Sequence, residues 1–307
     1  MSPNAASHRA LPGVAPAMLA GLYQHRLLTT TQLHALYTPR SRPRWTRRVL
    51  EGLRARGLVD RVQGPGTLSL WFVTDAGADA VETAGPRAEQ RRRVTTPAQA
   101  EGLLRAHTIA VNDVGIAFTH AARELGDECG PDSWRHEIAH PISAGSARKQ
   151  PQLVVADALL TYLQATDDGA LVLHQRFIEL DRGTARPAEQ LAAKIARYTR
   201  LRYYTPASGV APNAPAEPLW RRYYRSWPHL LIVLADQSER RIQQRIARTL
   251  ALYESDPGKD HRIAIPVSFV ALADLTARGP FAPIFITADK PERKMNWLGE
   301  ARSSNER

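Results

Sequence analysis

The chain has 307 residues, 43% of them hydrophobic, and a formal net charge of +11. That length suits about two domains, and the positive surplus suits a polyanionic partner. No apolar run approaches the 18 residues of a membrane span. The lone cysteine, Cys129, excludes an intramolecular disulfide and a cysteine-cluster zinc site. The apolar stretch Leu11 to Leu22 contains two prolines and no charged leader, so it does not read as a signal peptide. The compartment read from these features is a reducing cytoplasm.

Charge is concentrated early. Residues 1–100 hold 14 Arg, no Lys and 6 acidic residues, so most of the surplus lies in the first third. Arg outnumbers Lys 36 to 5 over the whole chain. The choice of Arg over Lys follows that bias, and the clustering is the informative feature.

In chain order, residues 1–15 read as a disordered N-terminus. Met18, Leu19, Leu22 and Tyr23 have the three-and-four spacing of one helix face. A threonine in Leu28-Thr29-Thr30-Thr31 can cap a short second helix carrying Leu33, Leu36 and Tyr37. A third helix is expected from Pro43 to Arg56, with Trp45, Val49, Leu50 and Leu53 as its buried stripe and Gly57 as the left-handed residue that ends it. Two strands flank a turn at Gly64-Pro65-Gly66, and Thr74-Asp75 offers the cap of a fourth helix. Three helices and a hairpin in this order predict a winged helix-turn-helix over residues 16–86. Residues 87–98 read as a linker.

From residue 99 to 275 the pattern alternates: a helix over 99–125, strands near 134–138, 153–163 and 171–181, a helix over 187–204, a strand at 229–235, a helix over 238–253 and a strand at 263–270. This predicts an α/β domain with a central mixed sheet, so the fold class expected is multi-domain α/β. Residues 276–307 read as a C-terminal tail.

Two groups of residues carry candidate chemistry. Eight arginines lie between Arg40 and Arg61. Arg44, Arg47 and Arg48 are expected on the outer face of the third helix, where guanidinium groups can clamp phosphate or pair with guanine. Arg42, Arg54 and Arg61 complete the expected DNA-binding set. The competing reading is a solvated basic face. In the second domain, Glu179 and Asp181 share a strand face, and Asp157 interrupts an apolar strand, where a carboxylate is costly unless paired or bound to a cation. Asp157, Glu179 and Asp181 are therefore candidate Mg²⁺ ligands and catalytic residues. Gln190, Lys194 and Tyr198 share a helix face, and Lys194 is the candidate for stabilising charge on a reacting phosphate. The competing reading is a salt-bridge cluster with Arg176, Arg182 or Lys194. His107 is a further cleft candidate, and the segment Trp220 to Trp227 mixes aromatic surface with cations, suited either to a single strand or to packing at a sheet edge.

These residues resemble the replication-relaxation family of plasmids and integrated elements of actinobacteria and other Gram-positive bacteria. The resemblance rests on Leu28 to Leu33, Trp71 to Gly77, Arg105-Ala106-His107, Val111-Asn112-Asp113, Asp157-Ala158, Phe177 to Thr184 and the helix from Glu189 to Tyr198. It implies a role in replication or DNA relaxation of a mobile element. The second domain is also similar in layout to the PD-(D/E)XK (restriction-endonuclease-like) nucleases. Asp157 and Glu179 match the acidic positions of that pattern, and Asp181 stands where it has lysine. The resulting expectation is a DNA-binding replication or relaxation protein, associated with nucleoid or plasmid, with a Mg²⁺-dependent nicking or cleaving site. The alternative is a non-enzymatic transcriptional or replication regulator whose α/β domain mediates dimerisation or partner binding. Candidate partners are double-stranded DNA, a second copy of the chain, and replication or conjugation proteins of the same element. A membrane is not among them.

Overall fold

A computed structural model describes residues 13–64, 68–84, 94–96, 98, 100, 102, 105–145, 150–183, 188–206, 217–255 and 265–300. The expected N-terminal tail and linker fall largely outside these residues. The chain divides into two compact units, Met1–Asn112 and Asp113–Arg307. The first unit therefore reaches past the linker expected at 87–98, and the division falls inside a helix.

The first unit begins with α1 (Ala15–His25), whose Met18, Leu19 and Leu22 are buried. Strand β1 (Leu28–Thr29) leads into α2 (Thr30–Tyr37). Thr29 caps α2 reciprocally: its hydroxyl accepts from the Gln32 N–H, and the Gln32 side chain accepts from the Thr29 N–H, each at 3.0 Å. The Gln32 amide also donates to the Ile109 carbonyl at 2.9 Å. Helix α3 (Pro43–Ala55) starts on a proline and ends in a Schellman turn, with Gly57 at φ +69°, its N–H on the Arg54 carbonyl, and the Leu58 N–H on the Leu53 carbonyl.

Strands β2 (Val59–Gln63) and β3 (Ser69–Val73) pair antiparallel, and β1 pairs on the other side of β3, giving the order β1-β3-β2. The expected turn residues Pro65 and Gly66 lie outside the described residues. Helix α4 (Asp75–Ala84) is capped by Thr74, whose hydroxyl accepts from the Gly77 N–H at 3.1 Å. Gly77 is required by close approach: a Cβ there would lie 1.9 Å from the Leu58 carbonyl oxygen.

Helix α5 (Arg105–Leu125) spans the division between the units. In its first part, buried Asn112 donates to the Leu27 carbonyl at 2.9 Å.

The second unit is built on a seven-stranded mixed sheet in the order β10-β9-β8-β7-β6-β5-β4. Strands β4 (Trp134–Pro141), β5 (Leu153–Ala165) and β6 (Leu171–Asp181) are antiparallel neighbours. Helix α6 (Ala188–Tyr203) connects β6 to the parallel strand β7 (His229–Leu234), and α7 (Glu239–Glu254) connects β7 to the parallel strand β8 (Val267–Ala271). Leu191, Ile195 and Tyr198 of α6 and Ile242 and Ile246 of α7 share a core with Phe177, Ile232 and Phe269 of the sheet. Phe118 from α5 joins a second aromatic group with Tyr162, Phe281 and Trp297.

The region expected to be a tail continues the fold. After α8 (Leu272–Arg278), β9 (Phe285–Thr287) and β10 (Lys290–Met295) extend the sheet, and Phe285, Met295 and Trp297 are buried. Strand β10 is charged because it is an edge strand, which is why it reads as tail. No helix among the described residues is long and apolar enough to cross a membrane.

Candidate nucleic-acid interface and carboxylate cluster

Helix α3 is oriented by Thr46, Leu50 and Leu53, its buried residues. Trp45, expected in the buried stripe, is 38% exposed and Val49 is half-buried. The face is rotated because Thr46, fully buried, belongs to a polar lock. Its hydroxyl lies 2.9 Å from His34 Nδ1 and 2.7 Å from the Thr38 hydroxyl, and Thr38 lies 3.0 Å from the same nitrogen. A buried hydroxyl with such partners avoids the cost of an unmade hydrogen bond, and the lock fixes α2 against α3.

That orientation leaves Arg42, Arg44, Arg47 and Arg48 exposed around the start of α3. The first turn has no acidic residue, and Arg42 at the cap position makes no capping bond. Cations at the positive end of a helix, here Arg42 and Arg44, are unfavourable by about 0.3–1 kcal/mol each, so the surface holds charge that the helix itself does not neutralise. Arg54 and Arg61 differ from these four. Arg54 pairs with Asp60 at 3.1 Å and lies 3.9 Å from Glu51, while Arg61 pairs with Glu51 at 2.9 Å and stacks 5.4 Å from the Trp71 ring. A concavity of about 450 Å³ lies between α2, α3 and the hairpin, lined by Thr30, His34, Arg47, Glu51, Arg61 and Trp71 among others. Sequence reasoning missed Thr30, His34 and Trp71 as part of this surface, because they converge only when α2 and β3 pack beside α3.

In the second unit, Glu179 and Asp181 extend from the same face of β6 toward α6 and α7. Glu179 is 2% exposed. One of its oxygens accepts from the Tyr198 hydroxyl at 2.5 Å and the other meets the Lys194 ammonium. Burial pushes its carboxyl up to about 8, the Asp157 charge adds to that shift, and Lys194 and Tyr198 oppose it. Burial and the neighbouring Glu179 raise the Tyr198 phenol well above its ordinary value. Asp157 accepts from the Leu180 N–H at 2.8 Å, beside the point where the β5–β6 ladder ends at Ala158 and Ile178. The carboxylate thus does the work of a ladder carbonyl, which accounts for an acid inside an apolar strand.

Asp181 faces a different partner. Its oxygens take Arg245 of α7 at 2.5 Å and the Gly183 N–H at 2.9 Å. Arg182 pairs with Asp236 at 2.6 Å, and Arg176 lies 4.8 Å from the Trp297 ring and donates to its carbonyl. Of the predicted set, the structure therefore brings together Asp157, Glu179, Lys194 and Tyr198. Gln190 is exposed at the start of α6, and His107 belongs to the first unit. Among the described residues, no three His, Cys, Asp or Glu side chains form a group that could hold a metal ion. Arg245 was missed because it lies 64 residues from Asp181 in the chain.

The aromatic segment is largely packed inward. Trp220, Tyr224 and Trp227 are buried, Arg202 stacks 4.5 Å from Trp220 and 5.4 Å from Trp227, and Tyr224 bonds His140 at 2.7 Å. Tyr223 is 57% exposed.

No curated protein and no solved structure matches the chain. A family model described as replication-relaxation matches residues 19–214, a span that includes α3, the hairpin, Asp157, Glu179 and Lys194. With well over half of its length matched, the chain belongs to the replication-relaxation family.

Proposed function

We propose that the first unit is a winged helix-turn-helix that docks on duplex DNA through α3, and that the protein serves replication or relaxation of a plasmid or other mobile element. The observation that carries this reading is the group of four exposed arginines at the positive end of α3, beside a hairpin placed as a wing. Phosphates supply the counter-charge that this surface lacks, and the start of the helix is the part that enters a major groove. Arg42, Arg44, Arg47 and Arg48 are the contacting residues, while Arg54 and Arg61 are held by Glu51 and Asp60.

The test is fluorescence anisotropy on duplex DNA over a salt series. The Arg44→Ala/Arg47→Ala/Arg48→Ala variant should lose about 10²–10³-fold in affinity near 0.1 M salt, with the log–log salt slope shallower by about 3. Unchanged affinity and slope in this variant would overturn the reading.

For the second unit, engagement of Glu179 by Lys194 and Tyr198, and of Asp181 by Arg245, supports a non-enzymatic platform. One observation favours a second reading, metal-dependent nicking: Lys194 reaches Glu179 from a helix, beside Asp157, in a layout similar to a PD-(D/E)XK centre with its lysine displaced. The three-carboxylate Mg²⁺ site does not fit, since Asp181 is held elsewhere. Asp157 and Glu179 are the pair left to take an ion, which would neutralise charge on a phosphodiester. Supercoiled plasmid with Mg²⁺ or Mn²⁺ decides between the readings. Nicking by the wild type and not by Glu179→Ala establishes the enzyme, and equal background from both removes it.

A further inference from the structure

The segment between Pro218 and Pro228 mixes aromatic rings with cations, and the fold separates the two. A short 3₁₀ turn, Leu219–Arg222, buries Leu219 and Trp220. Trp220, Tyr224 and Trp227 join the core under the sheet. Arg221, Arg222, Tyr223 and Arg225 are exposed, and no Asp or Glu stands between the two prolines.

Charge on this surface is unmatched. Elsewhere in the same unit, Arg182, Lys194, Arg245 and Arg248 each meet a carboxylate. Arg221, Arg222 and Arg225 meet no acid among the described residues, and Arg221 lies 5.4 Å from the Trp220 ring. Arg135 of β4 brings a further cation close: burial first, and then the Arg135 charge, hold the His140 imidazole down to about 4. Tyr223 stands among these groups. Its ring centroid is 5.0 Å from that of His140, and the residue is 57% exposed.

We propose that this surface binds single-stranded DNA, with a base stacked on Tyr223 and backbone phosphates on Arg221, Arg222 and Arg225. The two kinds of side chain select the occupant together. Any polyanion satisfies the arginines, but an acidic peptide leaves the ring unused, and the bases of a duplex are already stacked on one another. An unpaired strand supplies phosphates and free base faces at once. The choice of DNA over RNA rests on the function proposed above; the single-stranded preference does not.

Anisotropy of a labelled oligothymidylate about 15 nucleotides long, titrated with the full chain at low salt, tests this. Tyr223→Ala should lose at least about fivefold in affinity, with circular dichroism, melting temperature and duplex affinity unchanged, and Tyr223→Phe should keep wild-type affinity because the ring alone stacks. Arg222→Ala/Arg225→Ala should make the log–log salt slope for the oligonucleotide shallower by about 1.4. A wild type that ignores the oligonucleotide, a Tyr223→Ala variant that binds it undiminished or loses duplex affinity equally, or a Tyr223→Phe variant as weak as Tyr223→Ala overturns the proposal. Oligouridylate bound more tightly than oligothymidylate overturns the assignment to DNA. A wild type that binds the oligonucleotide through Tyr223 and ignores duplex would sink the α3 reading and leave this one standing.

Discussion

The start of α3 and the middle of β6 are both dense in charge, and they handle it in opposite ways. Around α3 four arginines stand in solvent, and two of them, Arg42 and Arg44, lie at the helix end that least favours a cation. On β6 two carboxylates are nearly excluded from water, and each is met by a cation from a helix: Lys194 from α6, Arg245 from α7. Charge left unmatched on a surface waits for a counter-charge from outside, whereas charge matched beneath a surface has already found it. On the proposed reading the first region binds and the second holds the sheet to its helices. Substitutions in the two regions should then separate stability from affinity.

The largest effect is expected in the buried pair. Above about pH 8, where the Glu179 carboxyl is ionised, Lys194→Ala strands a buried charge and should cost about 3–5 kcal/mol in urea denaturation. Replacing both partners by Glu179→Gln and Lys194→Met should recover most of that loss, because breaking a buried pair costs more than exchanging it for neutral groups. Arg44→Ala should change stability by less than about 0.5 kcal/mol while weakening DNA binding. Equal stability losses in the two regions would erase the contrast.

Acidity probes the same pair. The Glu179 carboxyl is raised to about 8 in the folded chain from an ordinary 4.5. The folded state therefore binds more protons than the unfolded state between those values. The contribution is fully present below about 4.5 and is lost as pH rises through about 8. Glu179→Gln has no such proton to lose, so its melting temperature should gain on the wild type as pH rises across this window, with a ceiling of a few kcal/mol. A gap that does not change with pH would mean that Glu179 stays ionised throughout.

Sequence reading went furthest where one periodicity decided the matter. Strand β6 was placed at its observed bounds, and the four-residue spacing of Lys194 and Tyr198 correctly put both on the face that meets Glu179. It failed where a distant partner decides. Thr46 occupies the buried face of α3 because His34 and Thr38 bond its hydroxyl, and hydrophobicity alone assigns that face to Trp45. Asp157 is legible as an anomaly, and one of its partners, the Leu180 N–H, becomes visible only with the strand register. Strand β10 was lost because edge protection and a solvated tail use the same residues.

The Thr46 lock is the next test in size. Thr46→Val keeps the shape and removes the hydroxyl, leaving buried Thr38 and half-buried His34 one partner short. The expected cost is about 1–3 kcal/mol, read by thermal melting. DNA affinity should fall as well if the lock holds α3 at the angle that presents its arginines. Loss of stability with full affinity would show that the remaining packing of Leu50 and Leu53 sets that angle.

The smallest effect is expected from Glu51, and it is also the sharpest probe of the contrast, because this is where the exposed region behaves like the buried one. Glu51 bonds Arg61 at 2.9 Å, holding a cation that would otherwise extend the basic surface toward the hairpin, while Arg54 is held by Asp60 at 3.1 Å. The Glu51 side chain is 47% exposed, so the pairing adds little stability. Its consequence is to keep the Arg61 charge out of the phosphate-binding set. Glu51→Gln should therefore leave the melting temperature nearly unchanged, steepen the salt slope by about 1, and raise affinity for any duplex up to about tenfold at low salt. The gain should be blind to sequence, since phosphate contacts carry none. A variant that binds no tighter than the wild type would mean that Arg61 lies beyond the reach of the backbone, and would confine the interface to the first two turns of α3.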